Sequence, residues 1–449
     1  MEIVNNISNF FKKSDIFIRL FLNFLVALPA LFLLVNNYPY LMVLSILLIL
    51  LIGIIFFLSK PLIIIQDKSV LSILIIIYIY FIISYFYSGQ LASSFTDYDF
   101  LKKDGNFFFC YLSFFMLAIP FFNYKKTLNL FFNFLFITFS LFSLYGIFEL
   151  LSGKTSIMIQ TDPGGAGTMF TALNFAHNAT GSVYAVVSLF ALIFLLQTSK
   201  KKLKILYSIV LAICLAGLFL TKSRGSYIGF AVALVPVLWM NYRSVKKFLI
   251  TISILVFASL PLIFLTGVYK RILQIFKFSL DIETAYTTVS RVELWEKAWY
   301  LFSRSPIFGI GFGRFNDIES VNYYRLNGYL GTLSLYTDSN FVFSFSTAHN
   351  SYLQFLAETG IVGLGLLILF WVLCYRIIYK AYNFSTNLYY KRIYLSALAS
   401  IIALFVLSFT ENYMSSTTIM ICVSMLTSLS MGLYWQEKKE SVLIHLRCL

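Results

Sequence analysis

From Tyr40 to Ser59 the chain runs twenty residues without a charged side chain, and it does so again from Ser69 to Ser88. A helix of about 20 mostly apolar residues crosses about 30 Å of hydrocarbon, because it satisfies its own backbone hydrogen bonds where no water can. Two such runs this early commit the chain to a bilayer. Only 12% of its residues are charged, about half the share of an average soluble domain, which excludes an ordinary water-soluble enzyme. Apolar runs near 20–38, 40–59, 69–88, 106–124, 127–148, 170–197, 205–221, 225–241, 248–267, 351–375, 393–410 and 414–435 predict twelve membrane helices. The run 170–197 is polar over its first third, so a re-entrant or broken helix is expected there. The expected architecture is all-α: one integral membrane domain over residues 1–449, with a single large loop, 268–350, between helices 9 and 10.

The formal net charge of +15, from 34 Lys and Arg against 19 Asp and Glu, would suggest nucleic acid as a partner of a soluble protein. Here the basic residues are scattered between apolar runs, so they speak for topology and not for nucleic-acid binding. Placing the N-terminus inside puts 21 of the 34 basic residues in cytoplasmic segments and five, Lys102, Lys103, Lys154, Lys222 and Arg224, in short external loops. Short cytoplasmic loops retain Lys and Arg, so both termini are expected in the cytoplasm and the large loop outside. The five cysteines form no C-x-x-C pair, which points to neither a disulfide framework nor a metal site. The first apolar run is long and lacks a small-x-small exit, so no cleavable signal peptide is read there.

Polar groups at the edge of a bilayer are costly and usually serve a purpose. Thr221-Lys-Ser-Arg224-Gly-Ser226 stands between two apolar runs with almost no loop. Arg224 is either a snorkelling anchor or a phosphate ligand, since its planar fork of donors suits a diphosphate and keeps its charge. Arg291 stands four residues before Trp295 on a predicted amphipathic helix, Ser290 to Ser303, whose Val292, Trp295, Trp299 and Phe302 share one side against the membrane face. His349, one of three histidines, sits where the large loop re-enters the membrane. It reads either as a helix cap or as a base for an attacking hydroxyl. His177, Glu149 and Glu358 occupy similar outer positions without a settled role. Gly309-x-Gly311-x-Gly313 lacks the setting of a dinucleotide fingerprint and reads as a tight turn after Pro306. Asp97-Tyr-Asp99 reads as a solvated loop, and Tyr323, Tyr324, Tyr329 and Tyr336 could offer stacking faces to sugar rings.

Taken in order, a Ser-Arg-Gly turn between two membrane helices is followed by Ser290-Arg291-x-x-x-Trp295. Then come Ser305-Pro-x-x-Gly309-x-Gly311-x-Gly313-x-Phe315 and His349-Asn350-x-Tyr352-Leu353 with Gly360 and Gly363. This pattern, over about residues 220–365, resembles the bacterial O-antigen ligase/polymerase superfamily (WaaL/Wzy type). The resemblance implies a metal-independent, inverting glycosyltransferase of the inner membrane, acting at the periplasmic face on an undecaprenyl-diphosphate-linked glycan. Arg224 and Arg291 would bind the diphosphate and His349 would assist the acceptor hydroxyl. Arg314, Asn350 and Tyr352 would line the substrate site, and no cofactor would be needed.

The implied acceptor is lipid A-core for a ligase, or a second lipid-linked repeat unit for a polymerase. The His-Asn-x9-Gly-x-x-Gly arrangement favours the ligase. A protein-directed oligosaccharyltransferase fits less well, because those usually carry an additional C-terminal soluble domain. From another class, a twelve-helix transporter would place its polar residues near mid-membrane in two related halves. No half-repeat is visible, and the polar candidates gather at the outer face.

Overall fold

The computed structural model describes residues 68–87, 107, 110–111, 124–153, 159–161, 168–172, 177–265, 282–315 and 347–448. The apolar runs at 20–38 and 40–59, most of 106–124, and residues 316–346 of the large loop lie outside the described residues. The helices are α1 (Lys68–Tyr87), α2 (Tyr124–Ser152), α3 (His177–Leu196), α4 (Lys201–Leu220), α5 (Arg224–Tyr242), α6 (Val245–Leu265), α7 (Ile282–Arg304), α8 (Ser351–Phe384), α9 (Leu388–Leu407) and α10 (Thr417–Cys448). Among the described residues seven helices are long and apolar enough to cross a membrane: α2, α3, α4, α5, α8, α9 and the Ile419–Val442 part of α10. The protein is a multi-pass, helical membrane protein.

Helix α3 is apolar on every side and packs among α4, α5, α9 and α10. A helix without a polar face has to be enclosed, and close approach to it depends on small residues. Gly217 of α4 meets Tyr184 at a spot where a Cβ would come within 2.5 Å of the ring. The Tyr184 hydroxyl donates to the Phe139 carbonyl at 2.9 Å, so the buried phenol is not left unsatisfied.

Residues 168–172 correct the expected span at 170–197. Strands β1 (Ile159–Thr161) and β2 (Thr168–Phe170) pair antiparallel, with Gln160 opposite Met169, and the membrane helix starts only at His177. The buried Glu149 carboxylate accepts from the Ile159 amide at 3.0 Å, and Phe170 lies over Gly146 of α2. Glu149 therefore anchors this hairpin.

Helix α8 is 34 residues long but breaks at Gly360 (φ 65°, ψ −170°). The roughly 24 residues beyond the break span about 36 Å at 1.5 Å per residue, which is enough to cross hydrocarbon. The turn before the break is left to the membrane edge. Segment 305–315 docks on that break. The Ile310 and Gly311 amides donate to the Ala357 and Glu358 carbonyls (3.0 and 2.9 Å), while the Ile361 and Val362 amides donate to the Pro306 and Ile307 carbonyls (2.9 and 3.3 Å). Backbone groups that the broken helix cannot pair are thus paired by the loop. Gly309 (φ 75°) faces Gly360 across this contact. A Cβ on Gly309 would lie 2.3 Å from the Glu358 carbonyl carbon, and one on Gly360 would lie 2.3 Å from the Ile307 oxygen. The glycine series makes the predicted turn and also seats it on α8.

The predicted amphipathic helix is present in α7, and it docks on the rest of the protein by the face opposite the tryptophans. Leu294, Lys297, Ala298 and Leu301 are buried, together with Phe315, Ala348 and Ala357, whereas Trp299 is 58% exposed. The Trp295–Trp299 stripe points away from the protein.

Candidate active site

The helices alternate in direction, and their polar contacts separate the two ends of the bundle. At one end Gln197 meets Asn241, Tyr382 meets Met240, Ser385 and Tyr394 meet Glu437, and Tyr389 meets Asn129. The opposite end brings together the starts of α3, α5, α8 and α10 and the turn after α9. Arg224, Arg291 and His349 all belong to this second end.

Glu411, in the turn after α9, is the hub. Its Oε1 accepts from Arg291 Nη2 at 3.1 Å and from Asn178 Nδ2 at 2.9 Å, and its Oε2 lies 2.5 Å from His349 Nδ1. Since a carboxylate accepts, Nδ1 carries the proton and Nε2 is the nitrogen able to take one. Charged groups make the stronger hydrogen bonds, so one carboxylate fixes two cationic or proton-bearing groups from distant parts of the chain.

Arg224 enters through its neighbours. It opens α5, and Ser223 just before it donates from Oγ to Asn178 Oδ1 at 2.9 Å while also pairing with Ser226 at 2.8 Å. Asn178 in turn holds Glu411. Two glycines allow this approach. A Cβ on Gly181 of α3 would sit 2.6 Å from Ser226 Oγ, and one on Gly225 would sit 2.4 Å from Thr410 Oγ1, next to Glu411. The Ser-Arg-Gly turn is therefore clamped between the start of α3 and the turn that carries Glu411. The Tyr413 hydroxyl closes the assembly by donating to the Asn178 carbonyl at 2.8 Å.

His349 is held at φ +48°, a left-handed conformation that non-glycine residues seldom adopt, although His does so more often than most. Next to it, the Asn350 side chain caps α8 by accepting from the Tyr352 and Leu353 amides (3.0 and 3.1 Å), a capping arrangement worth about 1 kcal/mol. The Ser351 amide donates to the Ser408 carbonyl at 2.8 Å, and Ser351 Oγ donates to the Glu411 carbonyl at 3.1 Å. These bonds tie the start of α8 to the end of α9. Tyr352 packs against Phe409 with the rings tilted and their centroids 4.4 Å apart, and its hydroxyl donates to the Phe405 carbonyl at 2.8 Å. The side chains of Asn350 and Tyr352 thus hold the frame around the imidazole. Partly buried Arg314 lies in the docked glycine segment, where its amide donates to the Gly311 carbonyl at 3.2 Å. His177 is the first residue of α3, immediately before Asn178.

Residues 209–368 match a family model described as O-antigen ligase (Wzy_C). Over this region the chain is similar to the O-antigen ligase-related superfamily. Comparison with curated proteins gives no match. The O-antigen ligase region contains Arg224, Arg291 and His349 and runs through the break at Gly360, while Asn178 and Glu411 stand outside its two ends. The flanking chain therefore supplies the polar links that join the region's own residues. The family match supports a ligase- or polymerase-type membrane function in O-antigen assembly, with glycosyltransferase-like activity on lipid-linked glycan.

Sequence reasoning missed Glu411 and Asn178. A signal for Glu411 was available: it is the one acidic residue between Glu358 and Glu437, and it lies in a short turn between two apolar runs. Asn178 follows the noticed His177, but nothing in its spacing indicates a partner 233 residues away.

Proposed function

We propose that the protein is an inverting glycosyltransferase of the bacterial inner membrane. It moves glycan from an undecaprenyl-diphosphate-linked donor at the periplasmic face, as an O-antigen ligase acting on lipid A-core. The observation that carries this reading is Glu411 bridging Arg291 and His349, because it sets a diphosphate-binding cation beside a base. His349 Nε2 takes the proton from the acceptor hydroxyl as that oxygen attacks the anomeric carbon from the face opposite the diphosphate. The bond from the anomeric carbon to the diphosphate oxygen breaks, and its electron pair leaves with the phosphate. Arg224 and Arg291 stabilise the charge that develops there, a type of stabilisation that is strongest where water is scarce. Glu411 steadies the imidazolium through Nδ1, as the carboxylate of a hydrolase triad does.

The orientation is supported by the charge at the two ends of the bundle. The end away from the site carries Lys125, Lys126, Lys200, Lys201, Lys202, Lys204, Arg243, Lys246, Lys247, Lys391 and Arg392, as a cytoplasmic face would. Segment 268–350, within a single membrane domain, then lies in the periplasm. The gathering of polar groups at one end also favours an enzyme over a carrier, whose site would sit near the midplane.

A polymerase would use the same chemistry with a second lipid-linked repeat unit as acceptor. Surface polysaccharide from a deletion strain separates the two. Long polymer left on the lipid carrier and absent from lipid A-core is the outcome for a ligase. Core bearing a single repeat unit would assign the polymerase, and unchanged polysaccharide would remove both.

A further inference from the structure

A second buried polar cluster lies behind the imidazole, and the transfer chemistry does not use it. Lys297 of α7 is fully buried, with its ammonium 4.5 Å from the centre of the Phe315 ring. Gln354 and Glu358, one turn apart on α8, are 4% and 5% exposed. Glu358 Oε1 accepts from Gln354 Nε2 at 2.5 Å and from the Phe315 amide at 3.2 Å. Gln354 Oε1 accepts from the Ala348 amide at 2.7 Å. The side-chain amide is thus used at both ends, with its orientation set by a carboxylate on one side and an N–H on the other. Burial lowers the Lys297 pKa to about 8, and the Glu358 charge partly offsets this, so the two charges feel each other inside the fold.

The geometry points to Lys297, Glu358 and Gln354 as positioning residues that set the backbone on which His349 is presented. His349 sits in a left-handed conformation, and such a residue persists only where its surroundings over-determine it. On its C-terminal side the hold is the α8 cap and the Ser351–Ser408 bond. On its N-terminal side, among the described residues, the hold is the Ala348–Gln354 bond, and Gln354 is oriented by Glu358. Glu358 also fixes the end of the glycine segment through the Phe315 amide, and Lys297 brings α7, the helix of Arg291, onto the ring of that same Phe315. One buried carboxylate therefore sets the positions of the two elements that deliver Arg291 and His349 to Glu411. This inference rests on the transfer reading for the catalytic role of His349, and the hold itself is measurable without it.

The test uses the full chain in lipid nanodiscs, with Lys297→Met, Gln354→Leu and the double variant Lys297→Met/Glu358→Gln. Met keeps the volume of Lys without its charge, and Gln keeps an oxygen for Gln354 and Phe315. In Lys297→Met and Gln354→Leu, amide exchange over 306–315 and 347–355 should accelerate, and kcat should fall about tenfold at unchanged KM for the lipid-linked donor. The double variant should recover both to within about threefold, because it removes the uncompensated charge as well. Exchange and kcat at parent values in the single variants would overturn the assignment. So would a joint loss of kcat and donor affinity that the double variant fails to restore, which is the mark of general fold support. If the parent chain transfers no glycan, the exchange measurement alone decides whether this hold exists.

Discussion

Glu411 Oε2 lies 2.5 Å from His349 Nδ1 although the two residues are 62 positions apart. The path between them crosses the bundle down α8 and back up α9. The same carboxylate also takes the Arg291 guanidinium, so a single side chain orients the His349 imidazole and sets the place of one cation.

Replacing Glu411 with Gln keeps the shape and loses the charge. An amide can present its nitrogen to His349 Nδ1, which favours the wrong tautomer. Transfer should fall about 10²–10⁴-fold in kcat, the range in which positioned bases and their orienting acids act. Steady-state transfer in membranes, normalised to inserted protein, reads this. Activity within twofold of the parent would detach Glu411 from the base.

Arg224→Ala and Arg291→Ala should each lower transfer by about 10²–10³-fold, the scale of a lost transition-state donor. Arg224→Lys should also be impaired, because an ammonium cannot make the forked contact. The informative comparison is donor retention. Arg291→Ala also leaves Glu411 without its guanidinium, so its loss of kcat should exceed its loss of binding. Two alanine variants with full activity would remove the diphosphate clamp.

The glycine pair at the helix break supplies a stability test. Gly309→Ala and Gly360→Ala each place a Cβ 2.3 Å from backbone and require positive φ of an L residue, which alone costs about 1–2 kcal/mol. Both should lower the thermal midpoint in detergent and speed proteolysis between 305 and 315. Gly365→Ala, which meets nothing within 4 Å, should leave the midpoint unchanged or slightly raised. Equal behaviour of all three variants would argue against the docked loop.

Lys297 gives a pH dependence with a defined sign. Its folded pKa is lowered to about 8 by burial, from an ordinary value of 10.5. Between these values the unfolded chain binds the proton and the folded chain does not, so stability rises with pH across about 8 to 10.5. Thermal midpoints measured from pH 7.5 to 10 should rise more steeply in the parent than in Lys297→Met. Identical slopes would mean that Lys297 ionises as a solvent-exposed amine does.

Much of the frame can be read in the chain because hydrocarbon permits few solutions. The starts of α4, α5 and α6 fall within a few residues of the apolar runs, and the three motif residues were already predicted on one face. What escaped notice depends on pairing, not on periodicity. The tryptophan stripe of α7 is legible in the sequence, but the face that docks on the protein is not, because a lysine normally marks the solvent side. Here Lys297 is the buried residue, since the Phe315 ring receives its ammonium and the Glu358 charge partly offsets its burial. The polar start of the run 170–197 announces a break, but nothing local reveals that Glu149 holds a hairpin at that point. In the sequence Glu411 is a lone acid in a short turn, and its importance lies in groups contributed by α3, α7 and the residue before α8.

The interruption at Gly360 divides α8 into two parts with separate duties. The lower part answers to the thickness of the lipid, while the short upper part answers to the loop and the carboxylates around it. The Ile361 and Val362 amides just past that glycine are bonded to Pro306 and Ile307, so the loop grips the helix at the joint between a part sized for lipid and a part that presents the imidazole.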